Sequence, residues 1–189
     1  MTAALLVRVI FWLWFTAAML AGHSLVLQRL PAPVVPGMVF TLTALLLLAY
    51  FRLGAVRTWV DALSLRTLVL LHVTRFVGIV FLVLYHRGQL PYAFAVPGGI
   101  GDIIIATFAL PVALAPLDES VRLRVTNIWN VAGLADILFV VITAIRINLA
   151  DPTEMHALTH LPLSLLPTFL VPLIIASHVI IFFRLSRSR

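Results

Sequence analysis

Between Arg66 and His86 the chain carries an apolar run long enough to cross a bilayer, and His72 and Arg75 lie inside it. An unpaired charge at bilayer depth costs about 2.5–3.5 kcal/mol on insertion scales, so such residues face a protein interior or a wet cavity. At 100° per residue, Arg75 and His86 fall at about 300° and 320° from His72, on one face shared with Ile79 and Leu82. This reads as a membrane helix with a polar side turned inward. A hydrophobic fraction of 62%, a charged fraction of 11% and a mean hydropathy of +1.13 extend that reading to the whole chain. At 189 residues there is room for one membrane domain over 1–189 and for no separate soluble one.

Six segments meet the requirement of about 20 mostly apolar residues per crossing: 3–22, 34–53, 67–86, 97–115, 125–147 and 164–183. Every basic residue is arginine. With six crossings, one side holds Arg8, Arg52, Arg57, Arg66, Arg122, Arg124, Arg184, Arg187 and Arg189, and the other only Arg29, Arg87 and Arg146. The positive-inside rule then puts both termini in the cytoplasm. The expected fold class is all-α: a polytopic six-helix transmembrane bundle.

The +6 net charge is read as topology and contact with anionic headgroups, since no basic cluster interleaved with aromatics suggests a nucleic-acid surface. Met19 occupies the place where a signal peptidase wants a small residue, so an uncleaved first helix is expected. The chain has no cysteine, which removes thiol catalysis, iron–sulfur clusters and thiolate metal sites. Arginine-only, Ala/Leu/Val-rich usage suits a bacterial inner membrane.

Several connections carry helix-start chemistry. Thr58 and Asp61 have capping-box spacing, which predicts an interfacial turn around Trp59 before the third crossing. Asp118 and Glu119 suit the start of the fifth. Asp151, Pro152 and Glu154 predict a brief surface helix with proline at its first position, on which His156 and His160 share a face. Pro97 is expected to open the fourth helix, with Gly98, Gly99 and Gly101 packing closely and Asp102 near its outer start. In the sixth, Pro172 should kink the middle and free the Thr168 carbonyl. No internal repeat is apparent.

Counting from the inner arginines places His72 and His178 each about 9 Å from the inner boundary, on antiparallel helices that could bring them together. Asn127 and Asn130 sit at a similar or shallower level, and Asp136 near the midplane, within snorkelling reach of Arg75 if the third and fifth helices touch. The expected intramembrane network is His72, Arg75, Asn127, Asn130, Asp136 and His178. A second group at the outer face comprises His86, Asp102, His156 and His160; its histidines read as a polar cap, and no metal site is expected.

The spacing of His72 and His86 resembles the dihaem cytochrome b subunits of quinol-oxidising complexes. There, two histidines 14 apart on one helix ligate stacked haems, each completed by a histidine from another helix. The resemblance implies haem b, with His178 completing an inner site and His160, His156 or His23 an outer one. The partner helix departs from the pattern: Ser164, 14 before His178, is no haem ligand.

Three function classes follow. A small solute or proton-coupled transporter uses Arg75, Asp136, His72 and His178 as a relay or counter-charge. A haem-binding electron-transfer subunit uses the histidines as axial ligands. An intramembrane enzyme acting on a lipid or isoprenoid uses Asp102 or Asp136 as general acid or base, without a paired-carboxylate motif. The transporter is preferred because it uses the charged pair as well as the histidines. No catalytic residue is assigned, and substrate and oligomeric state are not encoded legibly.

Overall fold

The computed structural model describes residues 3–187, so Arg189 of the inner-side arginines lies outside the described residues. Among the described residues there is no strand. The helices are α1 (Ala3–His23), α2 (Val34–Arg52), α3 (Gly54–Asp61), α4 (Leu65–Leu70), α5 (Gly78–His86), α6 (Tyr92–Leu114), α7 (Glu119–Ala150) and α8 (Val171–Arg187). Short 3₁₀ turns at Val26–Arg29 and Pro152–Thr159 cover two connections.

Six helices are long and apolar enough to cross a membrane: Ala4–His23, Val34–Arg52, Leu65–His86, Tyr92–Leu114, Glu119–Ala150 and Leu166–Arg187. Two of these are composite. In Leu65–His86 a 3₁₀ segment, Leu71–Val77, joins α4 to α5. In Leu166–Arg187 a π turn, Leu166–Leu170, precedes α8.

Contacts divide the chain into two compact units, Met1–Leu63 with Ile147–Ala176, and Ser64–Arg146 with Ser177–Arg189. In the first unit, Pro172 has no N–H to give to the Thr168 carbonyl, and the Val171 N–H reaches back five residues to Leu166. The freed Thr168 carbonyl accepts the Trp14 Nε1–H at 3.0 Å. Phe169, on the same turn, packs against Phe11, Trp14 and Phe15 with ring centroids 4.6–5.3 Å apart. Aromatic pairs at such distances contribute about 0.5–1.5 kcal/mol beyond burial.

The surface helix of this unit forms as its sequence suggests. Asp151 caps it by accepting the Thr153 N–H at 2.9 Å, with Pro152 at its first position. The capping-box expectation at Thr58 is corrected: Thr58 lies inside α3, and Asp61 accepts a hydrogen bond from the Tyr50 hydroxyl at 2.9 Å. The third span is capped instead by Ser64, whose hydroxyl accepts the Thr67 N–H at 3.1 Å.

In the second unit α6 begins at Tyr92, after Pro91, rather than at Pro97; Pro97 and Pro111 both lie inside it. That start adds more than a turn at the N-terminal end of the helix and puts Asp102 in its middle. The glycines of α6 set its approach to its neighbours. A Cβ on Gly99 would come within 2.8 Å of the Gly78 carbonyl oxygen, one on Gly98 within 3.2 Å of Val140, and one on Gly101 would overlap the Asp136 carboxylate. At Gly99 the two backbones leave no room for a side chain, and at Gly101 the space is taken by the carboxylate.

Candidate functional site

The 3₁₀ segment decides which side chains of the third span point inward. At three residues per turn, side chains at i and i+3 eclipse. His72, Arg75 and Gly78 are accordingly all buried, a row with a spacing of three, and Phe81 is buried on the turn of α5 that follows. The regular-helix projection is corrected here. Ile79 is 51% exposed and His86 is exposed, because the tighter winding rotates both away from the face of His72 and Arg75.

Arg75 is 1% exposed and spends its fork on three acceptors. Its Nε–H donates to Asp102 Oδ1 at 2.6 Å, an Nη1–H donates to the Gly133 carbonyl at 3.0 Å, and Nη2 bonds Asp136 Oδ2. The planar guanidinium suits this use, since its donors diverge in a fixed geometry and it stays protonated. Asp102 is 3% exposed, whereas the Asp136 side chain keeps 18% of its surface. Asp102 is therefore corrected from the outer group to a direct partner of Arg75. One positive and two negative groups leave the triad one negative charge in excess when both carboxylates are ionised.

A second cluster lies beside the triad. His72 Nε2 and the Ser177 hydroxyl are 3.0 Å apart. Asn130 donates its Nδ2–H to the His178 carbonyl at 3.1 Å, which turns its Oδ1 toward His178 Nδ1 at 2.7 Å. An amide oxygen only accepts, so Nδ1 carries the proton and His178 Nε2 is left as a bare lone pair. The two imidazole centroids are 4.2 Å apart, and Trp129 stands edge-on to His72 at 4.9 Å with its indole N–H on the Ile105 carbonyl at 3.0 Å. His72 Nδ1 and His178 Nε2 have no hydrogen-bond partner, although both residues are wholly buried. Gly133 joins the clusters: its carbonyl holds Arg75, and a Cβ on it would meet His178 Cε1 at 2.6 Å.

Of the residues singled out in the sequence, Asn127 is partly exposed and stays outside these bonds. His156 and His160 belong to the first unit, their rings 4.7 Å apart. There His160 Nδ1 meets the His156 carbonyl at 3.1 Å and Nε2 meets Gln28 Nε2 at 2.8 Å, so both ring nitrogens are engaged.

The inner histidines do not fit axial haem ligation. Two imidazoles sharing a metal each place a nitrogen about 2 Å from it, which separates their centroids by about 6 Å. His72 and His178 touch at 4.2 Å. His86, the other residue of the 14-residue spacing, is exposed and off the buried face.

A family model described as “Domain of unknown function (DUF8737)” matches residues 32–186, and the chain belongs to that family. No curated protein matches the chain. No solved structure matches it.

Proposed function

We propose that this DUF8737 protein is a multi-pass protein of a bacterial inner membrane, with both termini cytoplasmic, that moves a proton or a small solute coupled to one. Six apolar helices and the nine-to-three arginine distribution support the membrane placement and its direction. The domain is 1–189 as a whole, surrounded by lipid, with anionic headgroups meeting the inner arginines.

The observation that carries the transport reading is the one guanidinium set between two carboxylates, Asp102 buried and Asp136 half-buried. Within a low-dielectric interior an uncompensated negative charge is costly, so the triad holds one exchangeable positive charge, a proton or a small cation. Asp136, the more exposed carboxylate, is where that charge enters and leaves. An ion pair built only to hold helices together needs one carboxylate per arginine. The second is what makes the site loadable.

Two measurements test the proposal. The natural absence of cysteine allows Ser186→Cys and Ala157→Cys to report the two sides; labelling of Ser186→Cys by an impermeant reagent in intact cells, with Ala157→Cys protected, rejects the orientation. In proteoliposomes loaded with a pH-sensitive dye, wild-type protein is expected to dissipate a proton gradient and Asp136→Asn to lose at least tenfold of that flux. A flux unchanged in Asp136→Asn rejects the triad as the carrying site.

A further inference from the structure

The histidine pair is the part of the buried network that the triad does not use. Its members sit on three elements: His72 on the 3₁₀ segment, Trp129 and Asn130 on α7, and Ser177 and His178 on α8. The network of Asn130 fixes the His178 tautomer and leaves Nε2 bare, unpartnered and fully buried. An acceptor left this way costs its full desolvation, a cost a structural residue of similar shape would avoid. The edge of the ring bearing Nε2 lies against Gly133, the residue whose carbonyl holds Arg75. The titratable groups nearest this position are His72, its ring 4.2 Å away, and Arg75, held through Gly133; Arg75 in turn holds Asp102 on α6 and Asp136 on α7. Its other neighbours, Ser177, Asn130 and Trp129, are neutral.

We infer that His178 Nε2, with His72 beside it, is a second station for the proton bound by the Arg75–Asp102–Asp136 triad. This deepens the proton-handling reading and rests on it for its use, although the ring's protonation can be read without any flux. In the first state the proton sits on a carboxyl oxygen, both rings are neutral, and the cluster carries one positive and one negative charge. In the second the carboxyl O–H bond has broken, an N–H bond has formed at Nε2, and the cluster holds two carboxylates, an imidazolium and a guanidinium. Both states sum to zero, and no electron is transferred. The imidazolium stands beside a like charge, so only the second carboxylate makes it tolerable. Remove that carboxylate's charge and the second station closes.

The test is solid-state nitrogen NMR on wild-type protein in liposomes, with ¹⁵N in the histidine rings, across a pH series. The His178 signals are assigned by their connectivity to Ser177 and by their loss in His178→Asn. In the wild type, the His178 ring is expected to carry protons on both nitrogens over a pH interval that opens as the carboxylates ionise. In Asp136→Asn and in Asp102→Asn, each of which leaves Arg75 one carboxylate, Nε2 is expected to stay bare throughout, with circular dichroism checking that each variant is folded. A bare Nε2 at every pH in the wild type overturns the inference, and so does a doubly protonated ring that persists in both folded variants. The two readings fail separately. The expected NMR pattern without proton flux keeps the site and rejects transport, whereas flux with a permanently bare Nε2 keeps transport and rejects the station.

Discussion

Each unit contains a span that departs from the α-helical period, and the two departures are completed differently. In the first unit the π turn at Leu166–Leu170 frees one carbonyl, that of Thr168, and a neutral indole N–H takes it up inside an aromatic cage. In the second, the 3₁₀ segment Leu71–Val77 aligns His72 and Arg75 and brings three charges and two imidazoles together, with two ring nitrogens left unpartnered. The same kind of backbone irregularity thus serves two ends. Where a neutral donor closes the exposed carbonyl, the irregularity is a packing solution; where carboxylates outnumber the guanidinium, it builds the site to which the proposed exchange is assigned.

The largest expected break of this contrast is Arg75→Leu, which leaves two carboxylates with no counter-charge. Breaking a buried pair costs about 3–5 kcal/mol, and thermal unfolding in detergent should read a loss of that size. The double variant Arg75→Leu with Asp136→Leu should recover only part of it, because Asp102 stays buried and unpaired. Adding Asp102→Leu should recover most of the remainder. Strictly additive losses along this series would remove the coupling between the three side chains.

Gly101→Ala comes next. Its new methyl would occupy the place of the Asp136 carboxylate, so the ion pair must shift. Overpacking of this kind costs about 1–3 kcal/mol, and the same unfolding measurement should show it, while Gly37→Ala, whose Cβ would meet nothing within 4 Å, should not.

In the first unit, Trp14→Phe keeps an aromatic ring against Phe169 and removes the donor to Thr168 together with the small pyrrole ring that carries it. The expected loss is about 1 kcal/mol, with no change in proton flux. A flux lost in Trp14→Phe but kept in Asp136→Asn would reverse the assignment of packing to one unit and exchange to the other.

The smallest effect is at the surface. Hydrogen bonds from the Thr153 hydroxyl and backbone hold the Asp151 carboxyl below its ordinary value. A depressed folded value contributes stability above the unfolded one and loses it as pH falls through the folded one. Asp151→Ala should therefore loosen the Pro152–Thr159 turn at neutral pH and differ little from wild type in strong acid, as read by amide exchange at Thr153.

The six spans were legible because length and apolarity suffice to mark them. Residue chemistry also carried over in places: the sequence places Arg75 within reach of Asp136, the Thr168 carbonyl free of its helical donor, and Asp151 at a cap, and these groups are so arranged. What stayed hidden was phase. In a segment where nearly every residue is apolar, hydrophobic periodicity carries no angular information, so the 3₁₀ winding that brings Gly78 into line with Arg75 leaves no trace in the pattern. One signal was available: small and polar residues at 72, 75 and 78 repeat every third position. Asp102 was missed as a partner for a different reason. Pro97 has the chemistry of a helix start, which would put the carboxylate near the end of the helix, whereas α6 accommodates that proline more than a turn inside.

The tight winding also has a mechanical meaning. Seven residues at about 2.0 Å rise reach about 3.5 Å farther than the same seven at 1.5 Å, and each is turned by about 20° more. Rewinding Leu71–Val77 as regular helix would draw α5 toward α4 by that distance and rotate it by about 140° relative to α4. The segment is a screw thread whose pitch sets both the reach of the span and the direction in which Arg75 points.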